Sequence, residues 1–505
     1  MSTSINQEAS FIIGVLLSIC TLPAARAFGQ SGSLAAGTQT AAIQSTGPST
    51  SVLDGYIQQA FSANEGLHQQ QFGLDKSLYA LDEAKALFLP NVSLLGSYNG
   101  AAGGRAVNLP LGDLLNGAYA TLNKLTASNN FPQLSNQNFL LNPNNYYDAH
   151  VHTTLPLINA ELWYNKQIKK QLITAQQASV NVYKRELVKN IKTAYFQYYQ
   201  SMQAIRIYDA ALDLVKENIR VNESLLKNGV RNSTALTRSL TEQQKTFSDR
   251  LQAENSAANA KAYFNFLLNR DARDTVILDT TMFAQPGLTG NPTSPGTTTG
   301  GSDATARADL APGADASTGP GVTGREELDQ WRTIESVDAL SLREEKSYLI
   351  PKLNSFLDLG EQGTGTVDSK SAYYFAGVGL EWDLFAGGQH RARAKQADAD
   401  RRSAQAGYNE TLESLELQLT QSQNNYHSAA ATYQSALAQL NFALKYFTDQ
   451  SKAYREGQIL YVELLDAQNQ LTSARLQVAQ AFAGVQIAVA QLERDQATYP
   501  INPKS

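Results

Sequence analysis

Gly379-Leu380-Glu381-Trp382-Asp383-Leu384-Phe385-Ala386-Gly387-Gly388 is where one periodicity of this 505-residue chain gives way to another. On its N-terminal side Ala376, Val378, Leu380 and Trp382 alternate with Phe375, Gly377, Gly379 and Glu381. That pattern predicts a strand over about 373–384. Such alternation is what a membrane barrel wall needs, and also what any half-buried sheet in water shows. On the C-terminal side no proline interrupts 388–456, and the sequence predicts one helix across that span. At 1.5 Å per residue it would run about 100 Å. Its stretch Gln418-Leu419-Thr420-Gln421-Ser422-Gln423-Asn424-Asn425 is so polar that much of its surface must meet water. The wall of a water-filled tube suits that better than a solid bundle does. A shorter helix is expected to return over about 460–496, after the break at Gly457.

The same order of features occurs upstream. Leu89-Pro90-Asn91-Val92-Ser93-Leu94 resembles Ile350-Pro351-Lys352-Leu353-Asn354-Ser355, and Leu155-Pro156-Leu157-Ile158-Asn159 resembles Trp382-Asp383-Leu384-Phe385-Ala386. Gly229 corresponds to Gly457. The chain therefore reads as two copies of one unit, at 54–284 and 325–497. Each copy opens with a helix (about 66–88 and 325–347). Two strands follow, at about 91–98 and 147–156 in the first copy and at about 352–359 and 373–384 in the second. Each copy then closes with a long hairpin of helices, about 160–228 and 233–270, then 388–456 and 460–496. Leu187, Ile191, Ala194, Tyr198, Met202, Ile205, Tyr208, Leu212, Val215 and Ile219 form a coiled-coil-like seam on the first long helix. Between the copies, 285–324 holds 9 Gly, 5 Pro and 11 Ser or Thr. This composition buries too little apolar surface to order itself and reads as a linker.

Lys+Arg is 41 and Asp+Glu is 46, for a net charge of −5. That balance disfavours nucleic acid, which needs a concentrated basic surface. A single cysteine, Cys20, excludes a disulfide framework and a Cys-cluster metal site. No mature-chain run of 18 apolar residues exists, so a membrane would have to be crossed by strands. No catalytic, nucleotide-binding or cofactor motif is present, and neither an enzyme nor a cofactor is expected. Near the N-terminus, the apolar run 11–22 followed by Ala25-Arg26-Ala27 reads as an export signal over 1–27. The n-region carries Glu8 and no Lys or Arg, which departs from the usual pattern. Leu17-Ser18-Ile19-Cys20 offers a second reading, a loose lipobox that would lipidate Cys20.

Leu-Pro-Asn-Val-Ser-Leu at 89–94 with its partner at 350–355, the run 379–388, and Tyr454-Arg455-Glu456-Gly457 followed by Val462-Glu463-Leu464-Leu465-Asp466-Ala467-Gln468 make the duplicated chain resemble the outer membrane efflux family of TolC-like channels. The resemblance covers about 54–497 apart from the linker. It implies a mainly α fold with a transmembrane β-barrel: a homotrimer whose twelve strands, four per chain, continue into a long periplasmic α-helical barrel. A passive exit duct of a tripartite efflux or type I secretion system is then the expected function. The partners would be a periplasmic adaptor, an inner membrane transporter reached through it or at the tip, and outer membrane lipid. A periplasmic coiled-coil scaffold without a pore is the rival reading. Independently, four strands cannot close a barrel, so a protomer in lipid would have to be completed by copies of itself.

By the same resemblance Gly229 and Gly457 mark the hairpin turns at the periplasmic tip, and Tyr454, Glu463 and Asp466 fall on the tip pattern. Glu463 and Asp466, three apart on one helix face, would form the pore constriction: two stacked carboxylate rings that attract cations. A solvated acidic helix start is the plainer alternative. Family members carry an arginine two residues after the glycine that latches the tip. Here that position is Ile459, and the position of its aspartate partner is Ala235 beside Thr234, which leaves Arg231 and Arg238 as substitute latch candidates. Asp148, His150 and His152 share a strand face; metal binding is one reading of them, and a polar barrel interior, which needs no metal ion, is the plainer one. Tyr146, Tyr147 and Trp382 suit interfacial girdles or a core. The 99–146 loop, with Leu109, Leu114, Leu115, Leu122 and Phe131, would cover the outer mouth or pack on it.

Overall fold

The computed structural model describes residues 52–141, 144–230, 232–279, 322–365 and 371–501. The signal segment with Cys20, the latch candidate Arg231 and linker residues 285–321 lie outside the described residues. The end of the linker is not free: Val322–Gly324 is a 3₁₀ turn with Val322 buried.

The opening helix expected over 66–88 is α2 (Glu65–Ala86), and a further helix, α1 (Val52–Ala63), precedes it. Asn64 separates them. Its side-chain oxygen accepts from the Leu67 amide at 2.9 Å, capping α2. Its Nδ2 donates to the Leu267 carbonyl at 2.9 Å, tying the junction to the far end of the first hairpin. After β1 (Asn91–Asn99), the loop read at 99–146 contains its own structure. β2 (Ala106–Leu109) pairs antiparallel with β3 (Gln137–Leu140) around α3 (Leu111–Thr126). Asn136 Oδ1 accepts from the Gly112 and Asp113 amides at the start of α3, at 3.0 and 3.3 Å, and closes this excursion on itself.

β4 (Tyr146–Ile158), β5 (Lys352–Thr364) and β6 (Ala372–Glu381) complete a four-stranded antiparallel sheet of order β1-β4-β5-β6. The two copies thus meet at the β4–β5 ladder, where His152 stands opposite Asp358. β6 ends at Glu381, so Trp382, expected within the strand, lies just beyond it.

α4 (Ala160–Lys227) with α5 (Ser233–Leu267), and α7 (Gln389–Arg455) with α8 (Tyr461–Gln496), form the two hairpins; α6 (Glu326–Lys346) opens the second copy. α4 and α7 hold 68 and 67 residues, about 100 Å each. Both end in one motif. Gly229 (φ 66°) and Gly457 (φ 76°) adopt the left-handed conformation that glycine takes without strain. The following amides, Val230 and Gln458, reach back to the Leu225 and Ala453 carbonyls at 2.9 Å.

The seam on α4 departs from the heptad reading. Leu187, Ile191, Ala194 and Val215 are buried as expected, but Tyr198, Met202, Ile205, Tyr208, Leu212 and Ile219 are only half-buried. The buried line runs instead through Ile191, Tyr195, Tyr199, Gln203, Ile207, Ala211 and Val215, at four-residue steps. Each such step drifts about 40° around a 3.6-residue helix. The cause is a change of partner along the helix. Ile191 and Tyr195 pack with Ile57 of α1 and Phe264 of α5, whereas Tyr199 and Ile207 pack with Leu440 of α7 and Leu471 and Val478 of α8.

Ion pairs cross-link the copies at the start of α6. Arg325, 1% exposed, pairs with Glu327 at 2.5 Å and reaches Asp495, also 1% exposed, at 3.5 Å. Arg494 contacts Asp495, Glu186 and Glu327 at 2.9, 3.2 and 3.3 Å. Arg185 of α4 binds Glu326 at 2.6 Å. Ser422 of α7 donates to Asp495 Oδ2. Four helices converge on this cluster.

Candidate conducting path: the hairpin tips and the sheet

α8 starts just past the Gly457 turn. Tyr461, Leu464, Ala467 and Gln468 point inward, and Glu463 and Asp466 are exposed on the opposite side. Asp466 accepts a hydrogen bond from Gln470 at 2.8 Å. Neither carboxylate forms a salt bridge among the described residues, so both charges face water from one side of the helix.

Tyr454 has a different place. It is 6% exposed, and its hydroxyl donates to Asn222 Oδ1 at 2.5 Å. Asn222 Nδ2 donates to Ser239 Oγ at 2.8 Å, and Ser239 to the Ala235 carbonyl at 2.9 Å. The Tyr454 ring lies 5.8 Å from that of Tyr461. One turn further up, Gln468 Oε1 accepts from Asn218 at 2.8 Å. These buried polar residues fasten the first hairpin to the second close to the turns. Ile459 and Ala235, where a charged latch was sought, pack instead against the apolar core. Thr234 and Arg238 are exposed, and Arg238 makes no salt bridge among the described residues. Tyr454→Phe should leave a buried acceptor on Asn222 without its donor, at a cost of about 1–3 kcal/mol. Faster proteolysis near the turns than in the wild type is the expected result; an unchanged rate would mean the Tyr454–Asn222 bond does not fasten the tip.

At the end of the hairpins away from the turns, the sheet sorts its side chains by face. Directly opposed residues share a face, so the pairing defines two sets. One holds Leu94, Val151, Leu359 and Tyr374; the other holds His152, Asp358 and Phe375 in line, with Asp148 and His150 beside them on β4. The apolar set is outwardly unsupported: Leu94 is 79% and Tyr374 75% exposed. Tyr98 and Tyr147 face each other at one end of the ladders. At the other end Trp382 follows the strand that closes at the Lys352–Glu381 pair. Among the described residues β1 and β6 each have one unpaired edge. No described helix is long and apolar enough to cross a membrane.

The profile of the family described as outer membrane efflux protein matches residues 341–494, which run from the end of α6 through β5, β6 and the second hairpin. Over those residues the chain is similar to the outer membrane efflux proteins. Its fold is also that of solved channels. The outer-membrane channel OprN superposes with a TM-score of 0.65 at 17% identity, covering 88% of this chain and 89% of that one. The Campylobacter jejuni CmeC outer membrane channel gives 0.65 at 11% identity, covering 93% and 94%. The open state of the Neisseria gonorrhoeae MtrE outer membrane channel gives 0.64 at 13%, covering 88% of each. No curated protein matches by sequence.

The spacing in the sequence placed Glu463 and Asp466 on one exposed face and marked the two turn glycines. It missed Asn222, Ser239 and Gln468, which look like ordinary polar helix residues until the hairpins meet. It also left Asp358 apart from His152, since only the β4–β5 register brings them together.

Proposed function

We propose that three copies of this chain pair β6 of one with β1 of the next, closing a twelve-stranded barrel in the outer membrane, and that the assembly is the passive exit duct of a tripartite efflux or type I secretion system. The observation that carries this is the sheet. Its apolar face and its two open edges require lipid on one side and further strands at both ends. Its polar face, with Asp148, His150, His152 and Asp358, requires water. Tyr98 and Tyr147 at one end and Trp382 at the other suit the two interfaces. Below the sheet the two long hairpins extend into the periplasm, and their turns at Gly229 and Gly457 present the docking tip for an adaptor and, through it, an inner membrane transporter. The chain has no nucleotide-binding motif, so the energy would come from that transporter.

In this reading Glu463 and Asp466 converge from three chains on the narrowest part of the path. Six carboxylates there favour cations over anions. Purified trimers in planar bilayers should conduct with cation selectivity and be blocked by multivalent cations added at the tip side. Glu463→Ala with Asp466→Ala should reduce both selectivity and block several-fold and leave the trimer intact; Glu410→Ala with Glu413→Ala, on α7 away from the tip, should change neither. A tip variant that conducts and blocks like the wild type would place the constriction elsewhere. A chain that stays soluble without detergent and never conducts would instead be the scaffold.

A further inference from the structure

The polar face of the sheet carries a cluster that neither copy contains alone. His150 and His152 come from β4 and Asp358 from β5, and one donor atom of each lies within 4.8 Å of the other two. From this cluster we infer a binding site for a divalent transition-metal ion of the copper, nickel or zinc class, held within each chain's sheet.

Two imidazoles and a carboxylate are the donor set that this class of ions prefers, while Ca²⁺ and Mg²⁺ favour all-oxygen sites. Three protein ligands leave at least one coordination position for water or an exchangeable ligand. Ligand atoms around a tetrahedral ion stand about 3.3 Å apart. The β4–β5 register already holds the three side chains together, so closing from 4.8 Å asks for a short movement of their donor atoms. His152 and Asp358 are direct cross-strand partners and are in hydrogen-bond contact.

The surroundings orient these ligands. His150 Nδ1 donates to Asp148 Oδ1 at 3.0 Å, which places the proton on Nδ1 and leaves Nε2 with its lone pair. Tyr373 on β6 donates to the same Asp148 oxygen at 3.1 Å, so residues of two strands, β4 and β6, orient the His150 ring. Gly360 stands opposite His150, and a Cβ there would lie 2.3 Å from the His150 Cβ. Glycine at 360 is what lets β5 approach the β4 backbone this closely at residues 149 and 150. The side chains of His150 and Asp358 are only 18% and 16% exposed, so the site is partly shielded and still reachable from water.

The site itself needs one chain only; that it faces the duct lumen rests on the proposed barrel. The test is binding of Cu²⁺ alone to the detergent-solubilised full chain, purified without a histidine tag, by equilibrium dialysis and electron paramagnetic resonance. One Cu²⁺ per chain with splitting from two imidazole nitrogens is expected. His150→Ala with His152→Ala should abolish this signal. Asp358→Ala and the near-isosteric Asp148→Asn should each weaken binding at least tenfold, the second by freeing the His150 ring. His68→Ala with His427→Ala, outside the sheet, should bind as the wild type does. No tight binding by the wild type, or the same nitrogen signal after loss of both histidines, overturns the site. If the double variant does not assemble, unchanged affinity in Asp148→Asn and Asp358→Ala does so. Trimers that conduct without binding copper refute this inference alone, whereas copper binding without conductance refutes the duct.

Discussion

Asp495→Ala should destabilise the folded chain by about 3–5 kcal/mol, the usual consequence of removing one partner from a buried charge pair. Asp495 receives hydrogen bonds from Arg494, Gln491 and Ser422 and faces Arg325. Its loss would leave Arg325, which is 1% exposed, with Glu327 as its remaining carboxylate beside the main-chain carbonyl of residue 495. Because the cluster ties α6 and α8 to α4, the damage should appear as lost association between the copies and not as fraying of one helix. Thermal melting of the purified protein, with limited proteolysis after the linker, reads both. A shift within the range of ordinary surface substitutions, about 0.5 kcal/mol, would show that the cluster is dispensable.

The same residue predicts an acid sensitivity. Burial pushes the Asp495 carboxyl up, but the hydrogen bonds from Ser422, Gln491 and Arg494 outweigh it and hold the group below the ordinary value of 3.8. A depressed carboxyl contributes stability that is complete above its unfolded value and is lost as pH falls through the folded one. Stability should therefore be flat above about pH 4 and decline below it. In Asp495→Asn that decline should be shallower. Parallel acid profiles for the two proteins would assign the sensitivity to other groups.

Leu359→Arg should prevent membrane assembly almost completely. Leu359 lies near the middle of β5, between Val151 and Tyr374 on the apolar face. In the proposed barrel arginine there would sit near the bilayer midplane, at a cost of about 2–4 kcal/mol in each of three chains. Leu380, on the same face, is one residue from the end of β6, where the cost falls to about 0–1 kcal/mol. Phe375→Arg, opposite Asp358 on the polar face, should be mild as well. Trimer yield in membranes should rank Leu359→Arg well below the other two. Equal losses from Leu359→Arg and Phe375→Arg would refute the face assignment.

Much of this architecture is legible in the order of residues because it depends on local periodicity. Alternation at Ala376, Val378 and Leu380, the proline-free spans after Asn159 and Gly388, and the glycines at 229 and 457 each report a backbone preference that acts within a few residues. Duplication then predicts that whatever one copy forms the other forms too. Spacing along one helix was likewise enough to place Glu463 and Asp466 on one face, although it was the resemblance that singled them out.

What depends on which surfaces meet was not legible. The buried line on α4 slips to four-residue steps because its partners change from α1 and α5 to α7 and α8 along its length. Tyr454 matches a tip pattern, yet only packing of the two hairpins turns it inward to Asn222. Arg325, Asp495 and Glu327 look like solvated charges at helix ends until four helices enclose them. Asp358 meets His152 across 206 residues of sequence because β4 pairs with β5 in one register and not another. A slip of one residue would send each of those side chains to opposite faces. Local sequence determined the helices, strands and turns of this chain. The register between the copies, which no local preference encodes, decided which charges are buried and which donor atoms share a site.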